Sequence, residues 1–227
     1  DSVGNVSTTV KKVYNSYVVN NMLLNVKGTS ATYTTANYTQ ASTVTYVAPN
    51  GTSLTLASIY TVPTGASSST FKGVSTGAAS TTAASVSSTA PTLSSNSTYT
   101  MWFDRTTYTI TATAGTGGSN KVENQRGTSV TATSGSNKTI SIRYGESITA
   151  TATANSGYSF SKWSSLNTTT TNPLTVTPNK TATLTANFAA KVLTITLAKN
   201  SGSGGSDGPI YVKYASGWYS DSSAVTS

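Results

Sequence analysis

The chain has 227 residues, only 9% of them charged, and a formal net charge of +8 at pH 7. It contains neither cysteine nor histidine, which excludes disulfides, thiolate metal sites and the usual general base of hydrolases. The six carboxylates form no local cluster along the chain, so we expect no enzyme activity and no catalytic, cofactor or metal site.

More than a third of the residues are Ser or Thr, and Thr alternates with Val, Ile, Leu, Ala and Tyr. This alternation is typical of half-buried strands, so the sequence predicts an all-β fold. The basic residues are spread thinly, which favours a solubilising surface charge over nucleic-acid binding. No run of 18 apolar residues is present, so we expect no membrane insertion.

The first segment, residues 1–49, matches no repeat. Its apolar residues fall partly at helical spacing, but its β-branched residues and Tyr favour strand over helix. We expect either the end of an earlier repeat or a strand donated to a neighbouring subunit. The candidate donor residues are Val6, Val10, Val13, Tyr17, Val19, Leu23 and Val26.

The second segment, residues 50–106, resembles a degenerate copy of the segment that follows it. Residues 70–73 stand where residues 159–163 stand in the later copy, and residues 98–103 stand where residues 183–188 stand. Between them, residues 75–97 have low complexity, which indicates an elongated loop or a weak edge strand.

The third segment, residues 107–190, reads as one complete module. Short alternating runs cover residues 107–113, 129–133 and 140–153. The glycines between residues 115 and 118 indicate a hairpin turn rather than a phosphate-binding loop, because no helix with a Lys-Ser/Thr pair follows. Tyr158, Phe160 and Trp163 supply the bulk of a small core.

Four motifs in this third segment carry a family resemblance: Tyr144-Gly145-Glu146, the aromatic stretch 157–163, the Asn172-Pro173 step and the closing residues 185–188. Together they resemble the divergent internalin-type B repeats of bacterial cell-surface proteins, best over residues 108–190 and more weakly at 50–106 and 192–227. The resemblance implies small β-grasp-like modules used in tandem as stalk, spacer or adhesive units, at an extracellular, cell-surface location.

The last segment, residues 191–227, reads as an incomplete repeat with a second glycine-rich turn at residues 202–205. An unfinished sheet leaves an open edge that another strand could cover. The candidate acceptor edge is formed by Ile210, Val212, Tyr214, Trp218 and Tyr219.

The sequence thus predicts tandem small β-grasp-like or β-sandwich-like modules that form an elongated rod with a structural or adhesive function. The partners we expect are identical subunits or adjoining repeats, joined by strand complementation in a filament, and a glycan or host-surface ligand. A glycan-binding module that uses exposed Tyr and Trp is the alternative. For Trp163, core filling is favoured over ligand binding.

Overall fold

The computed structural model describes residues 11–53, 56–79, 86–88, 96–192, 211–214 and 217–220. Strands dominate it, and the all-β prediction is confirmed. The described helical pieces are a single turn, α1 (Leu56–Ile59), and a 3-10 turn at Ser68–Thr70. None of the described helices has the length and apolar character needed to cross a membrane.

Module A is a four-stranded sheet built from β1 (Tyr14–Leu24), β2 (Tyr38–Pro49), β3 (Phe71–Thr76) and β4 (Ser97–Phe103). The strand order is β2-β1-β4-β3. The two outer pairs are antiparallel, whereas the central pair of β1 and β4 is parallel.

The two central strands of the module A sheet are buried on both faces, over residues 19–24 of β1 and 99–103 of β4. On one face, Tyr17 and Val19 pack with Met101 and Phe103 of β4, and Ile59 belongs to the same cluster. On the other face, the cluster consists of Met22, Leu24, Tyr38 and Trp102.

Module B contains eight strands in two sheets. They are β5 (Thr107–Ala114), β6 (Gly118–Asn124), β7 (Ser129–Thr133), β8 (Lys138–Arg143), β9 (Ile148–Ala154), β10 (Tyr158–Ser165), β11 (Leu174–Val176) and β12 (Ala182–Ala190). One sheet has the order β10-β12-β5-β8 and the other β11-β9-β6-β7. They share a core in which Ile110 and Trp163 of the first sheet meet Val122 and Ile148 of the second.

The sheet of module A and the first sheet of module B have the same layout. In both, the first and the last strand lie side by side in the centre and run parallel. By this layout β3 occupies the place of β10, and β4 that of β12. These are the pairs of strands that the sequence comparison of residues 70–73 and 98–103 had matched.

The layout also assigns β1 and β2, which lie within residues 1–49, to the places of β5 and β8. The boundary that the sequence suggested at residue 49 therefore passes through a single sheet. The sequence did not show this, because residues 25–37, 50–53 and 56–70, which hold turns and short helical pieces, carry no strand alternation that would link β1 and β2 to β3.

The last described strands, β13 (Tyr211–Tyr214) and β14 (Gly217–Ser220), form an antiparallel two-stranded sheet of their own. The predicted glycine-rich turn at residues 202–205 lies outside the described residues. The turn at residues 115–118 connects β5 of one sheet to β6 of the other. The predicted hairpin is therefore wrong, because the two strands are not paired with each other.

Candidate functional site

The candidate site is the junction where modules A and B meet, which holds a network of hydrogen bonds between them. Because β1 and β4 run parallel with Leu23 beside Phe103, both strands end at the same edge of module A. Arg143 at the end of β8 lies beside Thr107 at the start of β5, so these two residues mark the facing edge of module B. The two modules are therefore joined end to end.

Arg143 reaches across this junction. Its Nη1 atom donates to the carbonyl oxygens of Val26 and Gly28, each at 2.7 Å, and also lies 3.2 Å from the carbonyl oxygen of Asn25. These three carbonyls belong to the loop that follows β1. One guanidinium thus binds three main-chain acceptors of module A.

The loop that follows β1 is held in shape by its own asparagines. The Asn25 amide N–H donates to the carbonyl oxygen of Asn37 at 2.7 Å, and the Thr29 amide N–H donates to Asn37 Oδ1 at 3.1 Å. A Cβ at Gly28 would collide with the main chain of Asn37. The carbonyls that face Arg143 are therefore held in position by bonds within the loop itself, independently of the arginine.

Arg105 lies in the three-residue linker between β4 and β5 and contacts both modules. Its Nε atom donates to the carbonyl oxygen of Leu24 at 2.5 Å, and its Nη1 atom donates to that of Tyr144 at 2.9 Å. The next residue, Thr106, donates its amide N–H to Gly65 and accepts from the amide of Tyr144, both at 2.8 Å. The linker is thus bonded on both sides.

The Tyr144-Gly145-Glu146 turn forms the module B side of the junction. Tyr144 packs its ring against Gly65, where an added Cβ would lie 2.5 Å from the ring atom Cδ1. Glu146 is fully buried and accepts from Arg126 Nε at 3.0 Å and from the Arg143 amide N–H at 2.8 Å. This buried carboxylate thus fixes the main chain that carries Arg143.

Burial shifts the pKa values of three side chains at or near the junction. Desolvation lowers the pKa of Arg105 and that of Arg143, and each value falls further because another guanidinium lies nearby. An arginine nevertheless stays protonated in proteins. Burial also raises the pKa of Tyr38, whose hydroxyl donates to Asp104 Oδ1 at 2.8 Å.

The structure places the predicted donor residues in module A's own sheet. Tyr17, Val19 and Leu23 lie on β1, which pairs with β2 on one edge and β4 on the other, and their side chains are buried. Val13 is 60% exposed beside that sheet, and Val26 accepts from Arg143. Val6 and Val10 lie outside the described residues.

Four of the predicted acceptor residues lie in the two-stranded sheet of β13 and β14. Val212 lies opposite Tyr219, and Tyr214 and Trp218 also belong to the β13–β14 sheet. Ile210 lies outside the described residues. Within the described part of the chain, the donor and acceptor segments are not brought together.

Trp102 and Trp163 fill cores. Trp163 is fully buried and donates its Nε1–H to the carbonyl oxygen of Thr171 at 2.8 Å, which confirms the core prediction. Trp102 is 1% exposed and donates to Ser75 Oγ at 2.9 Å. A groove of about 370 Å³ on the outer face of β6 and β9 is lined by polar and charged residues, with no aromatic ring among them.

Sequence reasoning missed the junction. Arg105 and Arg143 are two of the 14 basic residues scattered along the sequence. Their spacing gives no sign that they contact main-chain acceptors at residues 24–28. The one available signal was the Tyr144-Gly145-Glu146 motif, because a buried acid after a turn requires a basic partner nearby.

Comparison with known proteins adds a family and two structural likenesses. None of the curated protein sequences matches this chain significantly. A bacterial adhesin from Mobiluncus mulieris, containing intramolecular disulfide, isopeptide and ester bond cross-links, is similar at 14% identity and a TM-score of 0.32, covering 56% of each chain. The TIE protein of Bacillus anthracis is similar at 10% identity and a TM-score of 0.32, over 76% of this chain.

This chain therefore spans 56% of the length of the adhesin and 33% of that of the TIE protein. The family model described as the divergent InlB B-repeat domain matches residues 108–192. This match covers module B almost from its first strand to its last. The resemblance to the divergent B-repeat family of bacterial surface proteins is thereby confirmed for residues 108–192.

Proposed function

We propose that this chain is a non-enzymatic structural segment of a bacterial cell-surface protein, in which modules A and B act as one stiff spacer. The observation that carries the proposal is the double arginine contact at the junction. Arg105 and Arg143 bind the main chain on the far side of the module boundary. Two modules linked by a bare three-residue linker would otherwise be expected to move relative to each other.

The family match supports the location and the class of function. It assigns module B to repeats that occur in bacterial surface proteins. The same layout of central strands in module A supports a tandem arrangement of related units. A tandem of small modules with ordered junctions is suited to holding a neighbouring segment at a fixed distance from the cell.

The two other functions that the sequence suggested receive less support from the geometry. Glycan binding through Trp102 or Trp163 does not fit their burial, whereas the side chain of Trp218 lies outside what the structure describes. Donation of β1 to a neighbouring subunit does not fit a strand whose two edges are both paired. Neither is part of the proposal.

Surface exposure on intact cells tests the proposal. Antibodies raised against the purified chain should stain intact cells of the source bacterium, and brief protease treatment of those cells should remove the signal. A cytoplasmic protein probed in parallel should stain only after lysis. Staining of this chain only after lysis would overturn the proposed location.

A further inference from the structure

In each module the strand through which the chain enters is paired directly with the strand through which it leaves. In module B, the chain enters β5 at Thr107 and leaves β12 at Ala190. These strands run parallel, with Ile110 beside Ala182 and Ala114 beside Ala186. Because parallel neighbours start at the same edge, the chain enters at one end of the module and leaves at the other.

We propose that the β5–β12 pair is a clasp that resists mechanical force, and that β1 and β4 form its counterpart in module A. Tension along the chain pulls the start of β5 and the end of β12 in opposite directions, so the two strands are loaded in shear. All main-chain hydrogen bonds between them then bear the load together. Strands pulled apart from one end, in contrast, lose their bonds one at a time.

This inference rests on the proposed function for the origin of the tension, because a spacer between a cell and its attachment point transmits force. The geometry of the clasp itself does not depend on where the protein is found. In module A, residues 17–23 of β1 lie beside residues 97–103 of β4, also in parallel register.

Two side-chain contacts reinforce the module B clasp. Asn120 on the facing sheet is fully buried, and its Nδ2 atom donates to the carbonyl oxygen of Thr113 on β5 at 3.1 Å and to that of Leu184 on β12 at 2.9 Å. One amide thus bridges both strands. On the other face, the hydroxyls of Thr113 and Thr185 are hydrogen-bonded at 2.6 Å.

Further bonds extend the clasp at its two ends. The Gly115 amide N–H donates to the carbonyl oxygen of Ala186 at 2.9 Å, just beyond the last residue of β5. At the opposite end, the Thr109 amide N–H donates to the hydroxyl of Thr181 at 3.2 Å. These bonds also link β5 to the β12 segment and must break when the two strands slide past each other.

Single-molecule force spectroscopy with two pulling directions tests the clasp. The chain has no cysteine, so pairs of introduced cysteines give unique attachment points in the full chain. In the shear variant, T107C/A189C, force acts along β5 and β12. In the control variant, S159C/A189C, it acts on two residues that lie opposite each other in the antiparallel β10–β12 pair, so the strands separate from one end.

We expect module B to unfold at a clearly higher force in the shear direction than in the control direction at the same loading rate, since forced unfolding reports the rate of crossing the unfolding barrier. Circular dichroism melting should first show that both variants are folded to the same extent. Equal forces in the two directions, or a lower force in shear, would overturn the proposal.

A second pair of variants tests the named contacts. T113V/T185V removes both partners of the hydroxyl pair across the clasp, so no unpaired group is left behind. S147A/T177V removes a similar pair, 2.7 Å apart, that flanks β9 and β11 outside the clasp. We expect several-fold faster unfolding at constant load for the first variant in the shear direction, and no change for the second.

Equal effects of the two variants in shear would contradict a specific role for the β5–β12 contacts. The experiment also separates the clasp from the proposed function. A failure of the force measurements leaves the surface location untouched, whereas the absence of surface staining on intact cells leaves the mechanical result standing.

Discussion

Arg143 donates from Nη1 to the carbonyl oxygen of Val26 at 2.7 Å, so a side chain of module B is bonded to the main chain of module A. The acceptor is fixed by the loop that Asn25 and Asn37 hold in shape. Because a main-chain acceptor survives any substitution of its own side chain, the contact is tested by changing the arginine.

Substitution R143Q is expected to loosen the junction. A shorter, neutral side chain cannot reach the carbonyls at residues 25–28, and hydrogen bonds from a charged donor are each worth about 1.5 to 3 kcal/mol. Spin labels on V47C in module A and T175C in module B, both exposed positions, should give a narrow distance distribution in the parent chain by double electron–electron resonance. That distribution should broaden in R143Q.

Substitution K138Q is the control for R143Q, because it removes one positive charge from an exposed position on the same strand. Its distance distribution should match that of the parent. A distribution in R143Q as narrow as the parent's would show that Arg143 does not hold the junction.

Substitution E146Q should destabilise module B far more than E123Q. The Glu146 carboxylate is fully buried and bonded to Arg126, whereas the Glu123 carboxylate is 45% exposed in its pair with Lys121. Removing one partner of a buried pair costs about 3 to 5 kcal/mol, and an exposed pair contributes at most about 1 kcal/mol. Because Arg126 keeps some access to water, we expect a loss of about 2 to 4 kcal/mol for E146Q.

Urea unfolding of both glutamine variants, followed by tryptophan fluorescence, measures this difference. Similar free energies of unfolding for E146Q and E123Q would contradict the role assigned to the buried carboxylate.

The stability of module A should fall at high pH in part because of Tyr38. Burial, and then the hydrogen bond to Asp104, raise the pKa of Tyr38 above its usual value of 10.0. Above pH 10 the unfolded chain releases this proton while the folded chain retains it, so the stabilisation is complete below pH 10 and is lost as the pH rises further.

Substitution Y38F isolates the contribution of this hydroxyl. Near pH 8 the variant should be less stable than the parent by about 1 to 2 kcal/mol, because the bond to Asp104 is lost. In urea unfolding curves recorded from pH 9 to pH 11, this gap should stay nearly constant up to about pH 10 and narrow above it. A gap that stays constant over this range would show that Tyr38 does not carry the pH dependence.

Substitution G65A should disturb the junction without changing any charge. Gly65 has a φ of 93°, and an added Cβ would lie 2.5 Å from the ring of Tyr144. Gly51 has a φ of 78° but no atom within 4 Å of an added Cβ. G51A therefore measures the backbone strain alone, which is about 1 to 2 kcal/mol.

We expect G65A to lower the midpoint of thermal unfolding more than G51A does, and to broaden the label distances between the modules. Equal decreases of the unfolding midpoint in the two alanine variants would mean that the Tyr144 ring moves away from the added Cβ without loss of stability.

The strands of module B could be predicted well because their alternation is a local signal. Alternating Thr and apolar residues give the strands, and the bulk of Trp163 fills the core that the sequence suggested. Module A was harder, because β1 is buried on both faces and loses the clean alternation of a half-exposed strand. From the sequence, Tyr17, Val19 and Leu23 therefore looked like part of a strand without a partner in its own module. In the structure, β4, which lies far along the chain, pairs with this strand.

The junction could not be predicted because its acceptors are main-chain carbonyls, which every sequence has. Which carbonyls face Arg105 and Arg143 is decided by the parallel placement of β1 and β4, since this brings residues 24–28 to the end of the module. Such a contact depends on register between distant strands, and residue spacing alone does not encode it.

If modules A and B form one stiff unit, they tumble together in solution. Nitrogen-15 relaxation of the full chain tests this, because backbone amides in the two modules report their rotational correlation times separately. We predict that a single diffusion tensor describes the strand residues of module A (β1–β4) and of module B (β5–β12) together. Two distinct sets of correlation times, each matching a module that tumbles independently, would show that the junction does not hold the modules rigidly.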